Sequence, residues 1–206
     1  AETVPAVTSG VKLGQRGEKA MPDPSITKNA LAQSMKNLMA QKPFAKICIG
    51  DICEACGMNR KSFYYHFRDK YELVNWIFYT DFVSRICLDR MKNEWGLLDD
   101  LCRYFYSEKE FYQNALQVEG QNSFREYFCE VLQPVVLYLV GDLFSDSSGK
   151  AYYVTFFCEG YLAVILRWLR EGPDIHPDEF LKDFHSIMMT LAKKAVREAD
   201  QKKDAE

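Results

Sequence analysis

The residues Arg60, Lys61, Ser62, Tyr64, Tyr65, His66 and Lys70 bring cations, hydroxyls and an imidazole into one short stretch of the chain. Such groups carry the chemistry that holds phosphate oxygens and reads the acceptor edge of guanine. On a helical wheel of about 100° per residue, Phe63 and Phe67 fall on one face, which is expected to pack inward. Lys61, Ser62 and Tyr65 then point away from that face, with Tyr64 and His66 on its flanks. Arg60, at the start of the helix, can reach bases or backbone. Lys70 is expected to meet a phosphate at the start of the following helix.

A second chemistry is offered by Cys53-Glu54-Ala55-Cys56, which has the spacing of a redox pair. A thiol redox protein using Cys53 and Cys56 is therefore an alternative reading. A metal site would need more ligands than this segment holds. If the segment is helical, both cysteines take the place of small core residues, and packing is the preferred reading. His66, His176 and His185 are too dispersed for a metal set or a catalytic triad, and no glycine-rich phosphate loop is present. No catalytic residue, metal or cofactor is expected, and the chain is read as not an enzyme.

The elements that position the cationic stretch are short. From Ser25 to Gln41, apolar residues recur every three or four positions, predicting an amphipathic helix with Ser25 as its N-cap. A second short helix is predicted over 51–56, and Gly57 is suited to the positive φ that ends it. A third runs from about Asn59 to His66. Ile47 to Lys70 thus reads as two short helices joined by a glycine turn, the helix-turn-helix layout. Asp69 opens a further helix whose apolar positions run from Tyr71 to Leu88, and Gly96 is read as a break. More helices are predicted at roughly 97–106, 108–117, 123–140, 149–171 and 177–199. No strand alternation is found, so the fold class is all-α.

Composition agrees with this division. The chain has 206 residues, of which 48% are hydrophobic and 27% charged, ordinary for a folded domain. No stretch approaches the roughly 18 apolar residues of a membrane span, and no secretory signal is visible. A cytoplasmic location without membrane partners is expected. Seven scattered cysteines lack the density of a disulfide scaffold. Residues 25–75 carry eight Lys/Arg against four acids, a balance of +4, whereas 76–206 carry 15 against 22, a balance of −7. A basic head on an acidic body suits a polyanion held at one end. Three parts are expected: a flexible leader over 1–24, in which residues before Met21 are read as an appendage foreign to the fold, a head over 25–75, and a helical body over 76–206.

Over residues 25–75 the sequence resembles the TetR family of one-component regulators. The resemblance rests on an Ile, two small residues, the Gly57 turn, Ser62-Phe63-Tyr64-Tyr65-His66-Phe67, and then Asp69-Lys70-Tyr71-Glu72-Leu73. Extended through Trp76-Ile77-Phe78, it is similar to the branch that includes regulators of dihydroxyacetone kinase operons. The resemblance implies about nine helices, three of them in the head. It also implies a homodimer through the last two long helices, here about 149–171 and 177–197, and double-stranded operator DNA with an inverted repeat as the partner. The pairs Phe184/Leu191 and Met188/Ala195, seven apart, suit a helical seam. A small-molecule effector is expected among aromatic residues of the body, represented by Tyr104, Tyr112, Phe124, Tyr127, Phe128, Tyr153 and Phe157. Two departures stand out: Cys53 and Cys56 replace the usual alanines, and Gly50 stands where a polar DNA-contacting side chain is common. Gly50 keeps open an alternative in which the chain is a helical interaction module of the same shape that acts on another regulator without binding DNA.

Overall fold

The computed structural model of the chain describes residues 24–86, 95–118, 123–140, 147–171 and 175–203. The expected leader, except Pro24, lies outside the described residues, as do Leu88 and the helix breaks read at Gly120 and Gly172-Pro173. The described residues form nine α-helices and no strand. They are α1 (Pro24–Met39), α2 (Ile49–Ala55), α3 (Arg60–His66), α4 (Lys70–Asp81), α5 (Gly96–Ser107), α6 (Lys109–Leu116), α7 (Phe124–Val140), α8 (Ser147–Glu171) and α9 (Pro177–Lys203). No helix among them is long and apolar enough to cross a membrane.

Apolar periodicity explains the head. In α1, Leu31 and Met35 are wholly buried one turn apart, with Met39 below them, and the helix packs on α2, α3 and α4. Ser25 is not the N-cap. The helix already includes Pro24, a residue suited to the first turn because that turn needs no N–H donor. The second helix begins earlier than its pattern implied, because Cys48 and Asp51 form a capping box. The Cys48 sulfur accepts from the Asp51 N–H at 3.4 Å, and Asp51 accepts from the Cys48 N–H at 2.9 Å. Gly50 therefore lies inside α2. Gly57 has φ of 67°, the left-handed conformation expected of it.

Asn59 caps α3 by accepting from the Ser62 N–H at 2.9 Å, and Asp69 caps α4 by accepting from the Glu72 N–H at 2.8 Å. The apolar run after Asp69 does not stay in one helix. At Phe82 the backbone turns to φ −120° and ψ −64°, ending α4, and a single 3-10 turn follows over Val83–Arg85. Gly96 begins α5 rather than breaking the pattern.

The head is joined to the body by α4. Leu73 and Val74 are buried near its start. Further along, Phe78 stands amid the rings of Phe82, Tyr104, Phe105, Tyr112, Phe124, Tyr127 and Phe128, with centroids 5.2–6.4 Å away. Polar ties reinforce the junction. Lys36 of α1 meets Asp81 at 2.8 Å and Glu108 at 3.2 Å, and the Asn114 amide of α6 donates to the Met39 carbonyl at 2.6 Å. In the body, α7 lies along α8, and α5 along α9.

Candidate nucleic-acid interface

The third helix presents two unlike faces. Phe63 and Phe67 are buried, their centroids 5.8 Å apart, as the helical wheel predicted. On the other side Lys61 and Tyr65 are exposed, Tyr65 at 77%, with Tyr64 exposed on the flank at 58% and Arg60 exposed at the start of the helix. Two large aromatic side chains left this open on a seven-residue helix are unusual for a surface whose only neighbour is water. Ser62 is half-buried and its hydroxyl donates to Asn59 Oδ1 at 3.2 Å, so it supports the cap of α3 as well as edging the exposed face. His66 is also half-buried. Burial, and then the nearby Lys28 ammonium, lower its pKa from the ordinary histidine value. It is thereby biased toward the neutral form, a hydrogen-bonding rather than a charged partner.

Lys70 has partners of its own. Its ammonium donates to the carbonyl oxygens of Phe44 and Ile47, each at 2.8 Å, and lies 4.3 Å from the centroid of the Phe44 ring. Two of its three N–H donors are thus engaged inside the head. One donor is left for the phosphate contact expected of it. The Phe44 carbonyl, which also accepts from the Ile47 N–H at 3.0 Å, and the Ile47 carbonyl just before the cap of α2 draw the cation inward. Burial lowers its pKa from the usual lysine value.

Other head cations are engaged too. Lys42 pairs with Asp51 at 2.7 Å, and Lys36 with the two carboxylates at the body junction. Lys28 lies 5.6 Å from the Phe67 and Trp76 rings, and Arg68 lies 3.4 Å from Asp69. Against these, Arg60, Lys61 and Lys46 are exposed and have no ion pair among the described residues. Lys46 counted toward the charge of the head but not among the candidate site residues, because it follows Pro43 outside any periodic pattern. The +4 balance of the head is therefore delivered to its outer surface by few residues.

The two central cysteines are packed. Cys53 is buried, which raises its pKa above the ordinary thiol value, and the Cys56 thiol donates to the Ile52 carbonyl at 3.3 Å. Burial of Cys53 disfavours its thiolate as a nucleophile. Among the described residues no group of three or more His, Cys, Asp or Glu could hold a metal ion.

The seven aromatic residues expected around an effector are divided between a packed cluster and the surface. Tyr112, Phe124 and Phe128 are buried in the cluster around Phe78, where the Tyr104 and Tyr112 hydroxyls meet at 2.7 Å. Tyr127 and Phe157 are half-buried and Tyr153 is exposed on α8. Two open cavities, of about 570 Å³ and 540 Å³, lie instead against α7 and α8 and share Arg125, and none of the seven lines either. Flat rings that stack at van der Waals distance leave no space between them, which helical spacing alone could not reveal.

The last two long helices, expected to form a dimer seam, also use rings within the subunit. Trp168 stacks on Phe180 at 4.4 Å and Tyr161 meets Phe184 at 5.6 Å, so these four are used within the subunit. The outward large apolar residues are Tyr152, Tyr153, Phe156 and Val164 of α8 with Ile187 and Met189 of α9. The side chains of Leu191 and Ala195 lie outside the described residues.

Comparison with known proteins agrees with this architecture. The family profile described as "Bacterial regulatory proteins, tetR family" matches residues 35–77, and one described as "Transcriptional regulator C-terminal region" matches 93–190. A curated relative is the HTH-type dhaKLM operon transcriptional activator DhaS of Lactococcus lactis subsp. lactis (strain IL1403). It is 28% identical over 106 residues, a match that covers 50% of this chain and only 54% of the relative. A solved structure of a dihydroxyacetone kinase operon activator DhaS superposes with a TM-score of 0.58 at 21% identity, covering 82% of this chain and 96% of that one. NalD of Pseudomonas aeruginosa, the secondary repressor of the MexAB-OprM multidrug efflux pump, gives 0.55 at 16% identity, covering 82% and 97%. At these identities the two structural likenesses carry the fold alone.

Proposed function

This chain belongs to the tetR family of bacterial regulatory proteins and is a transcriptional regulator, and we propose that it binds an inverted-repeat operator as a homodimer, with α3 in the major groove. The observation that carries this reading is the two-faced α3. Phe63 and Phe67 anchor it to the head, while Arg60, Lys61, Tyr64 and Tyr65 stand open to solvent. A helix held by its apolar face and free along a cationic, hydroxyl-bearing face has the form that enters a groove 12 Å or so wide. Lys61 and Tyr65 are assigned to base edges, Arg60, Ser62, Tyr64 and His66 to the backbone and groove margin.

The homodimer is supported by the outward apolar residues of α8 and α9. Tyr152 is 80% and Phe156 70% exposed, one helical turn apart, and burial against a second copy removes both from water. Two recognition helices related by a two-fold axis then meet half-sites about one DNA turn, roughly 34 Å, apart or a multiple of it. A cytoplasmic location goes with this reading. Regulators of this family are in general not enzymes, and no catalytic role is assigned. Control by a small-molecule effector is part of the proposal. A ligand acting on the aromatic cluster has to part it at the Tyr104–Tyr112 hydroxyl pair.

The test is selection of duplexes from a random pool at low salt, followed by footprinting of the enriched sequence. A symmetric pair of half-sites protected by two protomers is expected. Failure to enrich any sequence sinks the reading and favours the interaction module, while a single asymmetric half-site sinks the dimer.

A further inference from the structure

Gly50 is the second residue of α2, and its backbone does not require glycine, since among the described glycines only Gly57 has a positive φ. What it supplies is space. A Cβ at Gly50 would stand 2.7 Å from Nη2 and 3.4 Å from Nε of Arg60, and 3.4 Å from the Cys48 sulfur. The Arg60 side chain therefore leaves the start of α3, crosses to the neighbouring helix and lies against the bare Gly50 backbone. Any side chain at position 50 displaces it.

Among the described residues the charge laid there has no acceptor. No hydrogen bond or ion pair joins the Arg60 side chain to another described residue, although Asp51 follows Gly50 directly. That carboxylate is held by Lys42 at 2.7 Å and by the Cys48 N–H at 2.9 Å. A guanidinium confined by contact yet unpaired keeps its donors in a rigid fork, the geometry that suits a phosphate oxygen pair. Its position over α2 also separates it from the outward face of α3 that carries Lys61 and Tyr65.

We propose that Gly50 and Arg60 form a two-residue phosphate clamp, in which Arg60 holds a backbone phosphate of the operator and Gly50 is the positioning residue that admits its guanidinium. The proposal rests on the DNA-binding reading above, and it gives the Gly50 departure a purpose. The side chain usual at this position is replaced by one delivered from the next helix.

The clamp makes an unusual demand on variants. Gly50→Ala improves helix propensity and displaces only the end of a flexible side chain, so its thermal midpoint is expected to equal or exceed that of the parent. Its operator affinity is nevertheless expected to fall. Two phosphate contacts are lost per dimer, lowering the salt slope by about 2 and the affinity at 0.1 M salt by roughly 10- to 100-fold. Arg60→Ala should give the same loss, with base preference unchanged, and the double variant should bind like Arg60→Ala alone.

The experiment is titration of the enriched operator and its mismatched forms with parent, Gly50→Ala, Arg60→Ala and the double variant at several salt concentrations. It is paired with NMR of the Arg60 Nε–H in the DNA-free parent and Gly50→Ala proteins. A shifted Nε–H resonance and non-additive losses support the clamp. An unshifted resonance, additive losses, unchanged affinity or an altered base preference overturns it. The NMR arm needs no DNA. If the resonance shifts but the parent binds no duplex, the DNA-binding reading has failed, and the phosphate role fails with it, while the positioning of Arg60 by Gly50 stands.

Discussion

The ammonium of Lys70 donates to the carbonyl oxygen of Ile47 at 2.8 Å, tying the first turn of α4 to the residue just before the cap of α2. A second bond to Phe44 and the face of its ring complete the attachment. Lys70→Ala therefore removes two charge-assisted bonds and leaves the Ile47 carbonyl to find water, while the Phe44 carbonyl keeps the Ile47 N–H. A loss of about 1–3 kcal/mol is expected, read as a lower denaturation midpoint of the DNA-free protein. Unchanged stability together with a lower salt slope would give Lys70 the role of phosphate ligand.

Lys61 is exposed, has no ion pair among the described residues, and lies on the face of α3 opposite Phe63. Lys61→Ala is expected to relax preference at one position of each half-site, because a good base contact discriminates by about 1–3 kcal/mol. Competition between matched and singly mismatched operators measures this. Uniform weakening of all sequences would move Lys61 to the backbone class.

The Tyr104 and Tyr112 hydroxyls share one hydrogen bond of 2.7 Å, and Tyr112 is wholly buried. Tyr104→Phe strands the Tyr112 hydroxyl, costing about 1–3 kcal/mol. Tyr112→Phe strands the other, and replacing both should cost less than the two single losses together. Urea denaturation of the four proteins checks the cycle, and strict additivity would show that the pair does not act as a unit.

Phe156 is 70% exposed on α8. If that face meets a second copy, Phe156→Asp places an unpaired charge in the interface at a cost of about 3–5 kcal/mol. A dimer constant weakened by more than about 100-fold follows. Sedimentation equilibrium would show a folded monomer, whereas an unaltered dimer would move the interface elsewhere.

Asp51 accepts from the Cys48 N–H and from Lys42, and these bonds hold its carboxyl well below the usual carboxylate range. Its folded pKa is depressed. The stability it provides is complete above the ordinary aspartate value of 3.8 and is lost as pH falls below that toward the folded value. Asp51→Asn should thus flatten the acid side of the stability profile while lowering stability at neutral pH. A parent profile already flat below pH 4 or so would contradict the capping role.

Much of the molecule was legible because its signals are local. Apolar spacing in Leu31, Met35 and Met39, the buried pair Phe63 and Phe67, and the turn at Gly57 each depend on neighbours within a few residues, and a helix repeats every 3.6 residues wherever it lies. The nine helices and the two faces of α3 follow from that. The end of α4 was not legible, because apolar residues continue through Phe82 while the backbone there turns aside.

What tertiary structure alone decided was the fate of individual charges and rings. Lys70 and Lys61 look equivalent in the chain, yet one reaches carbonyls 23 and 26 residues away and the other stays in solvent. Arg60 belongs to α3 by sequence but lies on α2 because Gly50 has no side chain. Tyr161 and Trp168 could face a partner or their own subunit, and rings brought over from α9 settled it. Pairings across such separations depend on how helices pack, and packing is a property of the assembled core that no local period records.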